Sequence, residues 1–143
     1  MLKVSENSVN YVYVNCSRNK SLNRPTYLFS VVNQYNQLTK RFIPENISFT
    51  GNTDYEYLRY DKFRFYVSGD TSENYIYSTG NPVYLDLEPG MYYYKIYEQV
   101  SSSNLDPSLS HDVLDEGIMY VNKDGDITPS YTGYSNNSIS IYE

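Results

Sequence analysis

Val83–Val100, V-Y-L-D-L-E-P-G-M-Y-Y-Y-K-I-Y-E-Q-V, is the stretch whose reading decides the fold. Val83, Leu85 and Leu87 alternate with Tyr84, Asp86 and Glu88, the period of two that marks a half-buried strand. Pro89-Gly90 breaks the alternation, because proline has no N–H to give a ladder and glycine takes positive φ without strain. From Met91 it resumes, with Tyr92, Tyr94 and Ile96 on one face and Met91, Tyr93, Lys95 and Tyr97 on the other. The sequence therefore predicts two strands joined at a corner.

Working outward, the same period recurs. Val9–Asn15 is β-branched and aromatic throughout. In Thr26–Val32 both faces are largely apolar, as in a central strand. Lys62–Val67 points Phe63, Phe65 and Val67 inward. Shorter strands are expected at Asn46–Thr50 and Tyr75–Tyr77, and Val113–Val121 is expected to pair with Met91–Val100. Asp54–Tyr60 reads as either a single helical turn or an extended connection. Ile139 and Ile141 alternate with Ser138, Ser140 and Tyr142, a strand signature with no local partner. The expected domains are an N-terminal arm over 1–8, a β-sandwich over 9–127 and an extended C-terminal arm over 128–143.

Composition points the same way. The 143 residues contain 19 Tyr, no Trp and no Ala, which removes the best helix former and enriches a strand former. Seven or eight short strands at about ten-residue spacing are the pattern of an all-β two-sheet sandwich with Greek-key connections. A jelly roll or an open barrel is the competing arrangement. The string Leu87-x-Pro89-Gly90-x-Tyr92-x-Tyr94 resembles the corner between strands E and F of immunoglobulin-like sandwiches. That resemblance implies a Tyr92 hydroxyl bonded to the upstream backbone and Tyr94 at a core position.

The net charge of −6 argues against a nucleic-acid partner, and no apolar run reaches the length that spans a bilayer. The N-terminus has no apolar segment of the kind a secretory signal carries. Single Cys16 excludes an internal disulfide and a cysteine-based zinc site. The lone His111, followed by Asp112, lies among serines with no signal of an oxyanion pocket. Asn122-Lys123-Asp124-Gly125-Asp126 resembles the opening of a calcium loop, but its glycine comes at the fourth place and Gly133 stands where the closing glutamate belongs. No catalytic residue, metal ligand or cofactor is expected. A/T-rich coding accounts for part of the tyrosine count, though not for its alternation within strands. Exposed tyrosines suit protein–protein contacts or sugar stacking.

Three segments carry a family resemblance: Arg59-Tyr60-Asp61-x-Phe63, Leu85-x-Leu87-x-x-Gly90-x-Tyr92-x-Tyr94-x-Ile96-Tyr97-Glu98, and Leu114-x-Glu116-Gly117-x-x-x-Val121. Together they resemble small virion proteins of tailed bacteriophages of Bacteroidetes hosts, including the crAss-like phages, over Thr26–Val121. The resemblance implies a non-enzymatic structural component of the particle, in a head–tail connector or tail ring or on the capsid, assembled in the bacterial cytoplasm. Its partners would be portal, tail or capsid proteins and further copies of itself. Tyr131, Tyr134, Ile139 and Ile141 are then the candidate subunit contacts. The alternative is a carbohydrate-binding β-sandwich that uses exposed tyrosines.

Overall fold

The computed structural model describes residues 1–16, 21–22, 25–48 and 61–123. Among them are nine strands: β1 (Leu2–Ser5), β2 (Ser8–Val14), β3 (Thr26–Asn33), β4 (Thr39–Phe42), β5 (Glu45–Asn46), β6 (Asp61–Val67), β7 (Tyr84–Leu85), β8 (Gly90–Gln99) and β9 (Asp112–Asn122). The chain is nearly all β. One sheet has the order β1-β9-β8-β3-β4, and the other β2-β6-β5, with β7 also on β6. A single 3-10 turn, Pro107–Leu109, interrupts the β8–β9 connection.

The two sheets pack as a sandwich because each presents an apolar face at every second residue. Tyr27, Phe29 and Val31 of β3 and Tyr92, Tyr94 and Ile96 of β8 face Val12, Val14, Phe63, Phe65 and Val67 of the other sheet, all buried. Aromatic rings bridge the layers. Phe63 meets Tyr27 edge-on, with centroids 5.4 Å apart, and Phe29 at 4.9 Å, while Phe65 lies 5.1 Å from Phe42.

The corner is built on Gly90, whose φ of 140° would strain any side-chain-bearing residue. Two residues on, the buried Tyr92 donates its hydroxyl to the Glu88 carbonyl at 2.8 Å, tying the start of β8 to the approach from β7. Replacing Tyr92 with phenylalanine leaves that carbonyl without its partner. The expected loss is about 1 kcal/mol of unfolding free energy, read by chemical denaturation, and no loss would remove the corner's structural role. Tyr94 fills the next inward position, its hydroxyl 3.3 Å from Asp115 Oδ2. A Cβ at Gly117 would come within 3.1 Å of the Tyr94 ring, so glycine lets β9 pass over it.

Several features differ from the sequence expectation. Residues 1–8 are not an arm. Leu2–Ser5 pairs in parallel with Met119–Asn122 at the sheet edge, and Val4 is 1% exposed. Two alternating apolar residues in a polar octapeptide suffice, because β9 supplies a ready edge. The strand expected at Asn46–Thr50 is the shorter β5, one residue earlier; Ile47 and Ser48 are irregular, and 49–50 lie outside the described residues, as does Asp54–Tyr60. β4 was not expected, since Thr-Lys-Arg-Phe carries one inward apolar residue, Phe42. The bulge at Leu114, where β9 gains a residue against Ile96 and Tyr97, brings Leu114 inward out of phase. The proposed domain limit at 127 and the arm over 128–143 lie outside the described residues.

Candidate interaction surfaces

The outward positions of β2 and β6 gather tyrosines and cations into one face. Register places Tyr11 opposite Arg64, Tyr13 opposite Lys62 and Val9 opposite Tyr66. On β6 the inward side chains are Asp61, Phe63, Phe65 and Val67, so alternation sends Lys62, Arg64 and Tyr66 outward. Tyr11 and Tyr13 are 43% and 51% exposed, large values for aromatic rings within a strand. The Lys62 ammonium stands over both, 5.0 Å from the Tyr11 centroid and 5.5 Å from that of Tyr13. Across β6, the Arg64 guanidinium donates to Glu45 Oε1 at 2.8 Å from Nε. The Tyr66 and Tyr84 rings lie 4.9 Å apart across the parallel β6–β7 pair. A shallow groove of 190 Å³ beside them is lined by Glu45, Arg64, Tyr66, Tyr77 and Pro82.

The opposite outer face is a second, separate surface. Tyr93 of β8, 55% exposed, lies between Val32 of β3 and Ile118 of β9 in register. The next row pairs Lys95 with Glu116 and Ser30. Tyrosines therefore occupy both surfaces of β8: Tyr92 and Tyr94 inside, Tyr93 outside.

Buried and half-buried polar groups hold the connections that frame these faces. Glu73 accepts from Lys40, from the Tyr75 hydroxyl and, at 2.9 Å, from the Asp86 N–H. Burial would raise its pKa, but those bonds together hold it below the usual carboxylate value. The segment after β6 is thereby strapped across one side of the sandwich. Glu98, fully buried on β8, accepts from the Ser21 N–H at 3.0 Å, the Ser21 hydroxyl at 2.6 Å and the Leu22 N–H at 3.0 Å. Gln99 donates to the Ser101 and Asn104 carbonyls and shapes the start of the β8–β9 connection.

The residues weighed for chemistry are placed as follows. His111 is exposed, and its backbone N–H donates to the Glu98 carbonyl at 2.8 Å. Cys16 is buried, its N–H bonded to Asp61 Oδ2 at 2.9 Å. Burial first, and then the carboxylates of Asp61 and Asp115, push its thiol pKa well above the ordinary range, which makes it a poor nucleophile. The adjacent carboxylates of β9 point apart, Asp115 towards Tyr94 and Glu116 on the outer face beside Lys95. No group of three or more acidic, histidine or cysteine side chains suited to a metal occurs among the described residues. Of the calcium-like string, only Asn122 and Lys123 are described. Tyr131, Tyr134, Ile139 and Ile141 lie outside the described residues. Among those described, no helix is long and apolar enough to cross a membrane.

The Tyr11–Lys62–Tyr13 face was not singled out in the sequence. Its signal was present in Tyr11 and Tyr13 at alternate positions and in Lys62 before Phe63, but the register that joins them is a long-range pairing. No family model, curated protein or solved structure matches the chain.

Proposed function

We propose that this is an immunoglobulin-like β-sandwich acting as a non-enzymatic structural component of a tailed-phage virion, through repeated protein–protein contacts between copies and with portal, tail or capsid proteins. A place in a head–tail or tail ring is preferred to a capsid ornament. The immunoglobulin-like reading draws support from the strand order. β2-β6-β5 corresponds to strands B, E and D of that fold, and β1-β9-β8-β3-β4 to A′, G, F, C and C′, with β1 parallel to β9. The Tyr92-to-Glu88 bond supports it independently.

The observation that carries the assembly reading is the pair of tyrosine-bearing outer faces, one on each sheet, centred on Tyr11–Lys62–Tyr13 and on Tyr93. Tyrosine supplies rigid contact area with a hydroxyl that tolerates partial hydration, a combination enriched at interfaces. One observation favours the carbohydrate-binding alternative: the groove beside Tyr66 and Tyr77, where Arg64 and Glu45 offer hydrogen bonds next to aromatic rings.

Light scattering of the purified chain, alone and with portal, tail and capsid proteins, separates the two. A ring of defined mass, or a monomer that assembles only with a virion protein, is the expected result. A monomer indifferent to all of these, retained by a glycan array and released by Tyr66→Ala, would instead establish the sugar-binding reading.

A further inference from the structure

One rim of the larger sheet is β4, and only part of its backbone is used. The β3–β4 hairpin closes with the Asn33 N–H on the Leu38 carbonyl at 2.9 Å. In an antiparallel ladder successive residues turn alternately to the two sides. Lys40 and Phe42, opposite Val31 and Phe29, therefore turn to β3, while Thr39, Arg41 and Ile43 turn away. Ile43 is satisfied there, donating to the Tyr75 carbonyl at 2.8 Å and accepting from the Tyr77 N–H at 2.9 Å. Thr39 and Arg41 have no such backbone partner among the described residues. They border an open groove of 340 Å³ lined by Thr39, Lys40, Arg41, Tyr75 and Leu105. The groove continues the line of the Tyr75–Tyr77 segment along β4. An edge presented in this way is a template for one more strand.

The chain itself contains a candidate for that strand. Ser138–Tyr142 has the alternation of a strand, and beyond Asp126 the only charge is Glu143, opposite in sign to Arg41. β9 ends at Asn122 on the pole of the sandwich where β4 begins, since Gly90 pairs with Val121, Asn33 with Tyr92 and Val32 with Thr39. β9 and β4 are three strand spacings apart, about 14 Å. Residues 123–137 have an extended reach of roughly 50 Å, enough to arrive at a neighbouring molecule. A chain's own segment entering at Thr39 would run parallel to β4. A second copy's segment is free to run antiparallel, the more stable pairing.

We propose that Ser138–Tyr142 of a second copy docks as an added strand on the Thr39–Arg41 edge. The proposal names the contact repeated in the assembly reading and rests on that reading.

The test uses two differently tagged full-length copies, one carrying Arg41→Cys and the other Ser140→Cys. On mild oxidation the mixed disulfide should form at about ten times the yield of a control pair with Tyr35→Cys in place of Arg41→Cys, because docking raises the local thiol concentration. Separately, Arg41→Pro deletes the N–H that faces the groove together with the Arg41 charge. It should weaken self-association about tenfold by light scattering, with the far-ultraviolet circular dichroism unchanged. A mixed-disulfide yield no higher than the control overturns the proposal. So does a disulfide confined to one chain in the Arg41→Cys/Ser140→Cys double variant at dilution, which would assign the strand to its own domain. An oligomer indifferent to both sets of variants overturns this contact and leaves the assembly reading standing. A chain monomeric with every virion protein overturns both.

Discussion

Phe63→Ala is expected to lower unfolding free energy by about 3–5 kcal/mol, the range for emptying a core aromatic site. Phe63 lies on β6 and is 1% exposed. Its ring is the meeting point of the two sheets, packed edge-on against both Tyr27 and Phe29 of β3. Truncation removes those contacts from both layers at once, and strands fixed by backbone hydrogen bonds cannot close the gap. Against a typical domain stability of about 5–15 kcal/mol, such a loss brings the protein near its unfolding threshold. Equilibrium urea denaturation reads it directly. Tyr11→Ala, on the outer face of the neighbouring strand, serves as the control and should shift stability by no more than about 1 kcal/mol, the scale of an exposed cation–π contact. Similar effects at the two sites would mean that the sheets are not held by this aromatic bridge.

Glu98→Gln should cost about 2 kcal/mol at pH 7, because a buried carboxylate that accepts from three donors is replaced by an amide that presents N–H groups to those same donors. Burial works against the charged form of Glu98, but the Ser21 hydroxyl and the Leu22 and Ser21 amides outweigh it and hold its pKa below the ordinary 4.5. A depressed folded-state pKa gives stability that is complete above the unfolded value and is lost as pH falls through the folded one. The gap between wild type and Glu98→Gln should therefore be full above pH 4.5 and shrink below it. Denaturation curves at pH 7, 5 and 3 check this. A gap that stays constant down to pH 3 would show that Glu98 is not ionised in the folded protein.

The parts of the fold that were legible in the sequence are those where alternation is long and the inward residues are large. β3, β6, β8 and β9 each carry three or more buried apolar positions, β2 shows itself by an unbroken β-branched and aromatic run around Val12 and Val14, and the Pro89-Gly90 break fixes where β8 begins. β1 and β4 were not legible because their sequences hold one or two inward apolar residues each. Both form because a neighbouring strand offers an edge, which is a property of the whole chain rather than of the octapeptide or tetrapeptide itself. The strap at Glu73 was hidden for a related reason: its bonds to Lys40 and Asp86 span 33 and 13 residues. The interaction faces were half legible. Alternation revealed surplus tyrosines, but only the β2–β6 register shows that Lys62 comes to lie over Tyr11 and Tyr13.

The parallel pairing of β1 with β9 also determines how the domain carries load. Leu2 lies opposite Met119 and Ser5 opposite Asn122, so the start of β1 and the end of β9 are three residues apart along the sheet and lead out of it in opposite directions. Tension applied through these two ends pulls the strands past one another along their length, and the hydrogen bonds between them are loaded together in shear rather than unzipped one at a time. Resistance to pulling is governed by the rate of forced opening rather than by equilibrium stability. A four-residue strand at the edge thus acts as a latch against a pull along the sheet.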